Sequence, residues 1–339
     1  MNNEVKNPNA RTELISPEVP GTDKDLGPVF NHSKWLKYRE KWDTNAKKDI
    51  INKVPLQIDL FGVDACNLSC PMCPRGVWDN SKKGYMDKEV MLKMLEDACK
   101  YGLEAFNFGG LGEPTVHPNA AEIIHRAKEL GVTDVNMHSN GTLLNEKRST
   151  ELIESGLDRI IISLDSANKV EYEKIRVGAK FEKTMNKVME FIEIRNRLKS
   201  KTPNVKVNFI DMNENDDSEK MEFINYWKDK VNRIGILRFL DFECYEEHYE
   251  ELYFKDNYTQ DEKYVCPELW RRLSIWSCGT ATICTRDFNM HEPLGNIHEQ
   301  SITDIWTGEK MERFREYHRN GQFKKIPICA TCPDTYYAN

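Results

Sequence analysis

The chain has 339 residues, 39% hydrophobic and 30% charged, a balance that supports one large folded domain or two smaller ones and excludes a disordered chain. Lys and Arg number 48 against 55 Asp and Glu, a net charge of −7, so no broad basic field offers itself to nucleic acid or to an anionic membrane. No apolar run reaches the roughly 18 residues of a membrane span, and the first thirty residues lack a signal layout, so ten cysteines in a chain read as cytoplasmic point to metal or redox chemistry rather than disulfides.

Residues 1–30 carry prolines at 8, 17, 20 and 28 and no apolar period, which predicts a tail, disordered or draped on the surface. Trp35, Leu36, Tyr38 and Trp42 then predict one or two short helices before residue 51. After Pro55, β-rich runs at 56–62, 104–109, 133–138, 159–164, 205–210 and 234–240 alternate with helical stretches near 87–101, 118–130, 145–156, 181–199 and 216–230. Six such units predict an α/β fold, a partial (βα)6 TIM-like barrel rather than a closed eight-stranded one. Past Tyr245 the rhythm changes: 272–284 reads as a β-hairpin turning at Cys278-Gly279, and a helix near 301–319 precedes a loop with Cys329 and Cys332. Three regions follow: a tail with short helices (1–50), the barrel (51–245), and a small hairpin-plus-helix domain (246–339).

Directly after the first barrel strand, Cys66, Cys70 and Cys73 form a Cys-x3-Cys-x2-Cys group on a loop. Three thiolates on a loop can wrap one face of a 4Fe-4S cube and leave one iron open to a ligand. Zinc with a fourth ligand elsewhere, or three packed thiols, is the plainer alternative. Cys266, Cys284, Cys329 and Cys332 make a second set, with gaps of 17, 44 and 2 residues, whose four thiolates suit a fully ligated 4Fe-4S cluster or zinc.

The first group, within Asp64-Ala65-Cys66-Asn67-Leu68 and Cys70-Pro71-Met72-Cys73-Pro74-Arg75, resembles the hallmark of the radical S-adenosylmethionine (SAM) enzymes. Phe108-Gly109-Gly110-Leu111-Gly112-Glu113-Pro114 is similar to that family's GGEP segment, with Glu113 the partner implied for the methionine ammonium. Met72, Gly110, Ser139, Asn140, Ser163 and Arg176 are the further SAM contacts implied, Arg176 facing its carboxylate. An ordinary turn at Asn140-Gly141 and a helix cap at Asp165-Ser166 are the bland alternatives. The family's adenine motif is not evident in Val207-Asn208-Phe209-Ile210.

The second set, with Leu294-Gly295-Asn296-Ile297 and Ser301-Ile302-Thr303-Asp304-Ile305-Trp306, resembles the SPASM or shorter twitch extension, in a layout similar to the aminocyclitol dehydrogenase of butirosin biosynthesis. The resemblance implies two 4Fe-4S clusters, SAM, and a flavodoxin- or ferredoxin-type electron donor. It also implies reductive cleavage of SAM to a 5'-deoxyadenosyl radical that abstracts hydrogen from substrate.

The reaction expected to follow is oxidation of an alcohol in a sugar, aminocyclitol or nucleotide-sugar, with Asp241, Glu243 and Arg286 as candidates near the base. Cys244, just past the last barrel strand, is the candidate hydrogen-atom donor for the rival reading, epimerisation. Peptide modification is a further alternative, and a zinc or iron-sulfur binding protein is the non-enzymatic one. Cys99 reads as a core thiol and Cys278 has no assigned role.

Overall fold

The computed structural model describes residues 12–15, 32–76, 84–211, 217–238, 258–261 and 263–338. The strands are β1 (Thr12–Ile15), β2 (Gln57–Phe61), β3 (Ala105–Phe108), β4 (Asp134–Ser139), β5 (Arg159–Ser163), β6 (Asn204–Asp211), β7 (Arg233–Arg238), β8 (Tyr258–Gln260), β9 (Arg272–Trp276), β10 (Thr280–Thr282), β11 (Pro293–Asn296) and β12 (Tyr336–Ala338). The helices that concern the site are α1 (His32–Thr44), α2 (Lys88–Cys99), α3 (Ala120–Glu129), α4 (Glu146–Glu154), α5 (Lys169–Ile175), α6 (Phe181–Arg197), α7 (Asp217–Trp227), α8 (Ile302–Trp306) and α9 (Glu309–Arg319).

Among the described residues one ten-stranded sheet runs β1-β7-β6-β5-β4-β3-β2-β9-β10-β11. Strands β2 to β7 are parallel neighbours in sequence order, the six strands of the partial barrel that the alternation predicts. Each edge ends in antiparallel strands: β1 on β7, and β10 and β11 beyond β9. β9 lies parallel to β2, Gln57 opposite Arg272 and Phe61 opposite Trp276, so the small C-terminal β/α domain extends the barrel sheet itself.

The tail expected over residues 1–30 departs from that reading at Thr12–Ile15, which pairs with the outer edge of β7. Four residues flanked by prolines carry little periodic signal of their own, and the unpaired edge of β7 supplies the ladder. The helix expected over 301–319 is two, α8 and α9. At Gly308 between them a Cβ would come 2.7 Å from the Asp304 carbonyl, an approach that only glycine permits.

Side chains divide by strand face. Ile58, Leu60, Phe106, Phe108, Val135, Met137, Ile160, Ile162, Val205, Val207 and Phe209 are buried under the surrounding helices. α3 answers with Ala120, Ile123, Ile124 and Ala127, the three-and-four spacing of one helix face. Each large apolar side chain so buried contributes about 1.5–3 kcal/mol. The alternate residues line a polar lumen. There Asp59 accepts from Gln57 Nε2 at 2.7 Å and Asn107 Nδ2 at 2.9 Å, and Arg159 holds Asp134 through Nε at 2.9 Å. α1 stops the N-terminal end of this lumen, its Tyr38 hydroxyl donating to Gln57 Oε1 at 3.4 Å and Tyr38 and Trp42 packing on Leu56 and Ala105.

Candidate active site

The first thiol set sits on the loop that leaves β2, at the C-terminal end of the barrel. Cys70 is buried, Cys66 and Cys73 half-buried, and Cys70 and Cys73 are pushed up by burial, with the neighbouring thiols of the set adding to the rise. Against this, Arg176 stands by with Nη1 3.8 Å from the Cys70 sulfur. The Leu68 N–H donates to Cys66 Sγ at 3.5 Å, and Asn140 Nδ2 lies 3.8 Å from the same sulfur. Donors and a guanidinium around thiolates are what an anionic cluster requires.

The glycine segment after β3 lies on this loop. Gly112 donates to the Val63 carbonyl at 3.0 Å and Glu113 to the Ala65 carbonyl at 2.9 Å, and a Cβ on Gly112 would come 2.2 Å from Val63 O. Gly110, at φ +140°, passes the Phe61 backbone with similar closeness. The glycines thus let two strand-end loops share a backbone seam.

Glu113 is 2% exposed, and burial pushes its carboxyl up. Its oxygens accept from the Thr115 N–H (3.1 Å), the Thr115 hydroxyl (2.5 Å), the Ser139 hydroxyl (2.8 Å) and the Asn140 N–H (2.6 Å). The carboxylate therefore ties the ends of β3 and β4. Asn140 continues the chain, donating through Nδ2 to Asn67 Oδ1 at 3.0 Å on the thiol loop. The Asn140-Gly141 turn is real as well, with Thr142 N–H on Asn140 Oδ1 at 2.9 Å, and it is coupled to the site rather than an alternative to it.

Arg176 follows α5, a helix that the sequence pattern does not predict. Its guanidinium pairs with Asp165, which is fully buried, takes φ +64°, and accepts from the Ile210 N–H at 3.0 Å. Ser163 and Met72 are half-buried at the same end of the barrel. The sequence-derived residues Cys66, Cys70, Cys73, Gly110, Glu113, Ser139, Asn140 and Arg176 thus fall on one connected end of the sheet.

The second set lies at the other end. Cys266 precedes β9 and Cys284 follows β10, which runs back antiparallel, so both belong to the N-terminal end of the barrel strands. Cys329 and Cys332 join them: burial is the largest cause that raises the Cys266 and Cys329 thiols, with Cys284 and Cys332 adding to both and Cys266 adding to Cys329. Among the described residues no three His, Cys, Asp or Glu side chains converge as ligands of a single ion do; thiolates of a cube each take a separate iron and need not converge. Arg286 is buried, its N–H 3.4 Å from Cys284 Sγ, and it lowers the Cys329 thiol. Half-buried Arg272 reaches Asp59 at 3.4 Å, pairs with Glu268, and feels Cys284. Both sets fit iron-sulfur ligation by donor type and surroundings.

Between the two sets, the lumen carries residues that the motifs did not mark: Asn107, His138, Lys206, Asn208 and Ser274. Among the described residues the side-chain oxygens Asn107 Oδ1, Asn208 Oδ1 and Ser274 Oγ have no hydrogen-bond partner. Their signal was a polar residue every second position within otherwise apolar strands, as in Lys206 and Asn208 of β6. Burial lowers His138 to about 4, helped by Lys206 and Arg159, which keeps its imidazole neutral at pH 7. Cys99 is half-buried beside the core, pushed up to about 11, and Cys278 is exposed at the hairpin turn, 3.5 Å from Met290 Sδ. Cys244, Asp241 and Glu243 lie outside the described residues.

Such a partial barrel, with thiol sets at both ends and a β/α extension bearing the second, defines a radical-generating iron-sulfur enzyme. The radical SAM superfamily model matches residues 61–225 and the SPASM iron-sulfur cluster-binding domain model matches 266–333, and the chain belongs to this superfamily with its auxiliary domain. It acts on SAM by radical chemistry. It is 27% identical over 309 residues to the tungsten-containing aldehyde ferredoxin oxidoreductase cofactor-modifying protein of Pyrococcus furiosus, covering 79% of this chain and 84% of that protein. It is 30% identical over 200 residues to a probable GTP 3',8-cyclase of Methanocaldococcus jannaschii, covering 58% of this chain and 62%, less than two thirds, of that protein. Among solved structures, BtrN in complex with AdoMet and 2-DOIA shares the fold at TM-score 0.54 and 20% identity, over 84% of this chain and 94% of that one. Streptococcus suis SuiB bound to precursor peptide SuiA does so at TM-score 0.64 and 14% identity, over 94% and 83%. Among the described residues no helix is long and apolar enough to cross a membrane.

Proposed function

We propose that the chain abstracts a hydrogen atom from a peptide substrate held in the lumen, and that the modified residue loses its second electron towards the auxiliary end. The carrying observation is two thiol sets at opposite ends of one polar lumen in which Asn107 Oδ1, Asn208 Oδ1 and Ser274 Oγ have no partner among the described residues. When bound, a 4Fe-4S cluster on Cys66, Cys70 and Cys73 supplies the electron that splits SAM, and one on Cys266, Cys284, Cys329 and Cys332 supplies an electron acceptor.

The protein's own part is positioning. Asp165 holds Arg176 where a SAM carboxylate and the Cys70 thiolate both need a cation, and Glu113 locks Asn140 onto the thiol loop. The adjoining Ser163 and Ser139 present hydroxyls at the strand ends. Neutral His138, beside Gly109 and facing the lumen, is suited to take the proton that leaves with the second electron.

A peptide is favoured over the sugar or aminocyclitol expected from sequence because the structure bound to a precursor peptide superposes at a higher TM-score than the one bound to 2-DOIA. A phosphorylated small molecule is the second reading, favoured by the likeness to GTP 3',8-cyclases. The test is reconstituted protein with SAM and reductant, offered a perdeuterated peptide pool and, separately, deuterated sugars and nucleotides. Deuterium in 5'-deoxyadenosine from the peptides supports the proposal. Deuterium from the small molecules alone overturns it.

A further inference from the structure

Lys206 lies at mid-depth on the lumenal face of β6, opposite Arg233 on β7 and within electrostatic reach of Arg159 on β5 and His138 on β4. Arg159 is matched by Asp134. The Lys206 ammonium has no hydrogen bond or ion pair among the described residues.

Its direction is set by a glycine. Gly235 stands opposite Asn208, two residues nearer the cluster end than Arg233. A Cβ there would meet Lys206 Nζ at 2.8 Å and Asn208 Oδ1 at 2.5 Å, so both polar tips occupy the notch that Gly235 leaves. The lysine thus leans towards the radical end. Asn208 is 4% exposed and its Oδ1 has no partner among the described residues; since either end of an amide can face a ligand, it is able to donate or accept there. A half-buried cation with no partner among the described residues, beside such an amide, costs stability unless something compensates it.

We propose that Lys206 anchors an oxyanion subsite in the lumen, with Asn208 beside it, which takes a carboxylate or phosphate group of the substrate. The subsite rests on the reading of the lumen as the substrate cavity. Its anion is an acidic side chain if the substrate is a peptide and a phosphate if it is a small molecule. Burial and the flanking arginines lower the lysine to about 8, so its charge persists at pH 7 while an anion that docks there relieves the repulsion. The lysine is a positioning residue: it fixes which substrate carbon faces the radical.

Calorimetric titration of the reconstituted, SAM-saturated holoenzyme with inorganic pyrophosphate and, separately, with glutarate tests this, because the carboxylate of SAM is then already placed. Wild type should bind at least one probe, Lys206→Arg should hold its affinity within about three-fold, and Lys206→Met should weaken it by about ten-fold or more. The preferred probe identifies the phosphate or carboxylate source. Lys206→Gln carries the same comparison if the methionine variant loses its near-ultraviolet circular dichroism. No binding of either probe to wild type, or equal affinity in the neutral variants, overturns the subsite. Formation of 5'-deoxyadenosine by the same wild-type sample reads the radical chemistry separately, so failure of one does not mask failure of the other.

Discussion

The two thiol sets share a ligand type and differ in everything around it. At the C-terminal end of the barrel, Cys66, Cys70 and Cys73 are stitched by Asn140, Glu113 and Arg176 to the ends of β3, β4 and the segment after α5. At the N-terminal end, Cys266, Cys284, Cys329 and Cys332 are half-buried, with burial the main cause that raises the Cys266 and Cys329 thiols and with Arg272 and Arg286 close by. Three ligands and a ring of polar stations leave room for a further ligand. Four ligands and burial suit electron transfer without ligand exchange. The chemistry that an end of the barrel performs is therefore set by what its loops hold beside the sulfur, not by the sulfur itself.

The comparison breaks most visibly on the first set. Cys66/Cys70/Cys73→Ala should lower iron from about eight to about four per chain and abolish 5'-deoxyadenosine formation, read by metal analysis and chromatography. Arg176→Ala should follow, because it strands buried Asp165: a loss of about 3–5 kcal/mol in urea unfolding is expected, together with a raised KM for SAM.

Gly112→Ala sharpens the same end. Its new Cβ meets backbone, which cannot step aside as a flexible side chain would, so the thiol loop must shift. SAM cleavage should fall by about ten-fold, a geometric misplacement effect, whereas Gly84→Ala, where no described residue lies within 4 Å of the added Cβ, should cleave SAM as wild type does.

The smallest effect belongs to the lumen between the sets. Lys206 is lowered from 10.5 to about 8 by burial, with Arg159 and Arg233 adding to it and neutral His138 opposite. Its folded pKa lies below the unfolded one, so stability is lost as pH falls through that window and the cost is complete below about 8. Lys206→Met should therefore exceed wild type by roughly 1–3 kcal/mol near pH 7, and the difference should vanish above pH 10.5, measured by denaturation across pH.

The sequence made legible what repeats or clusters. Six β-rich runs match β2 to β7 within a residue or two because every second residue along them is apolar and packs under the helices. The first cysteine group and the glycine segment are local in sequence and so are legible as motifs. What escaped depends on long-range pairing: β1 exists through the edge of β7, β11 through β10, and α5 is seven residues long. The lumenal residues escaped for a related reason. His138 and Lys206 each look like a single polar interruption of a strand, and only the register across β4 to β7 brings them to one face.

The claim that the two ends divide the labour is tested most directly by electron paramagnetic resonance of the reduced holoenzyme with and without SAM, on wild type and the Cys66/Cys70/Cys73→Ala variant. In wild type, SAM should alter one of two cluster signals, and in the variant the remaining signal should be indifferent to SAM. A SAM-dependent change in the variant's signal would contradict the division, since it would place the cofactor at the second set.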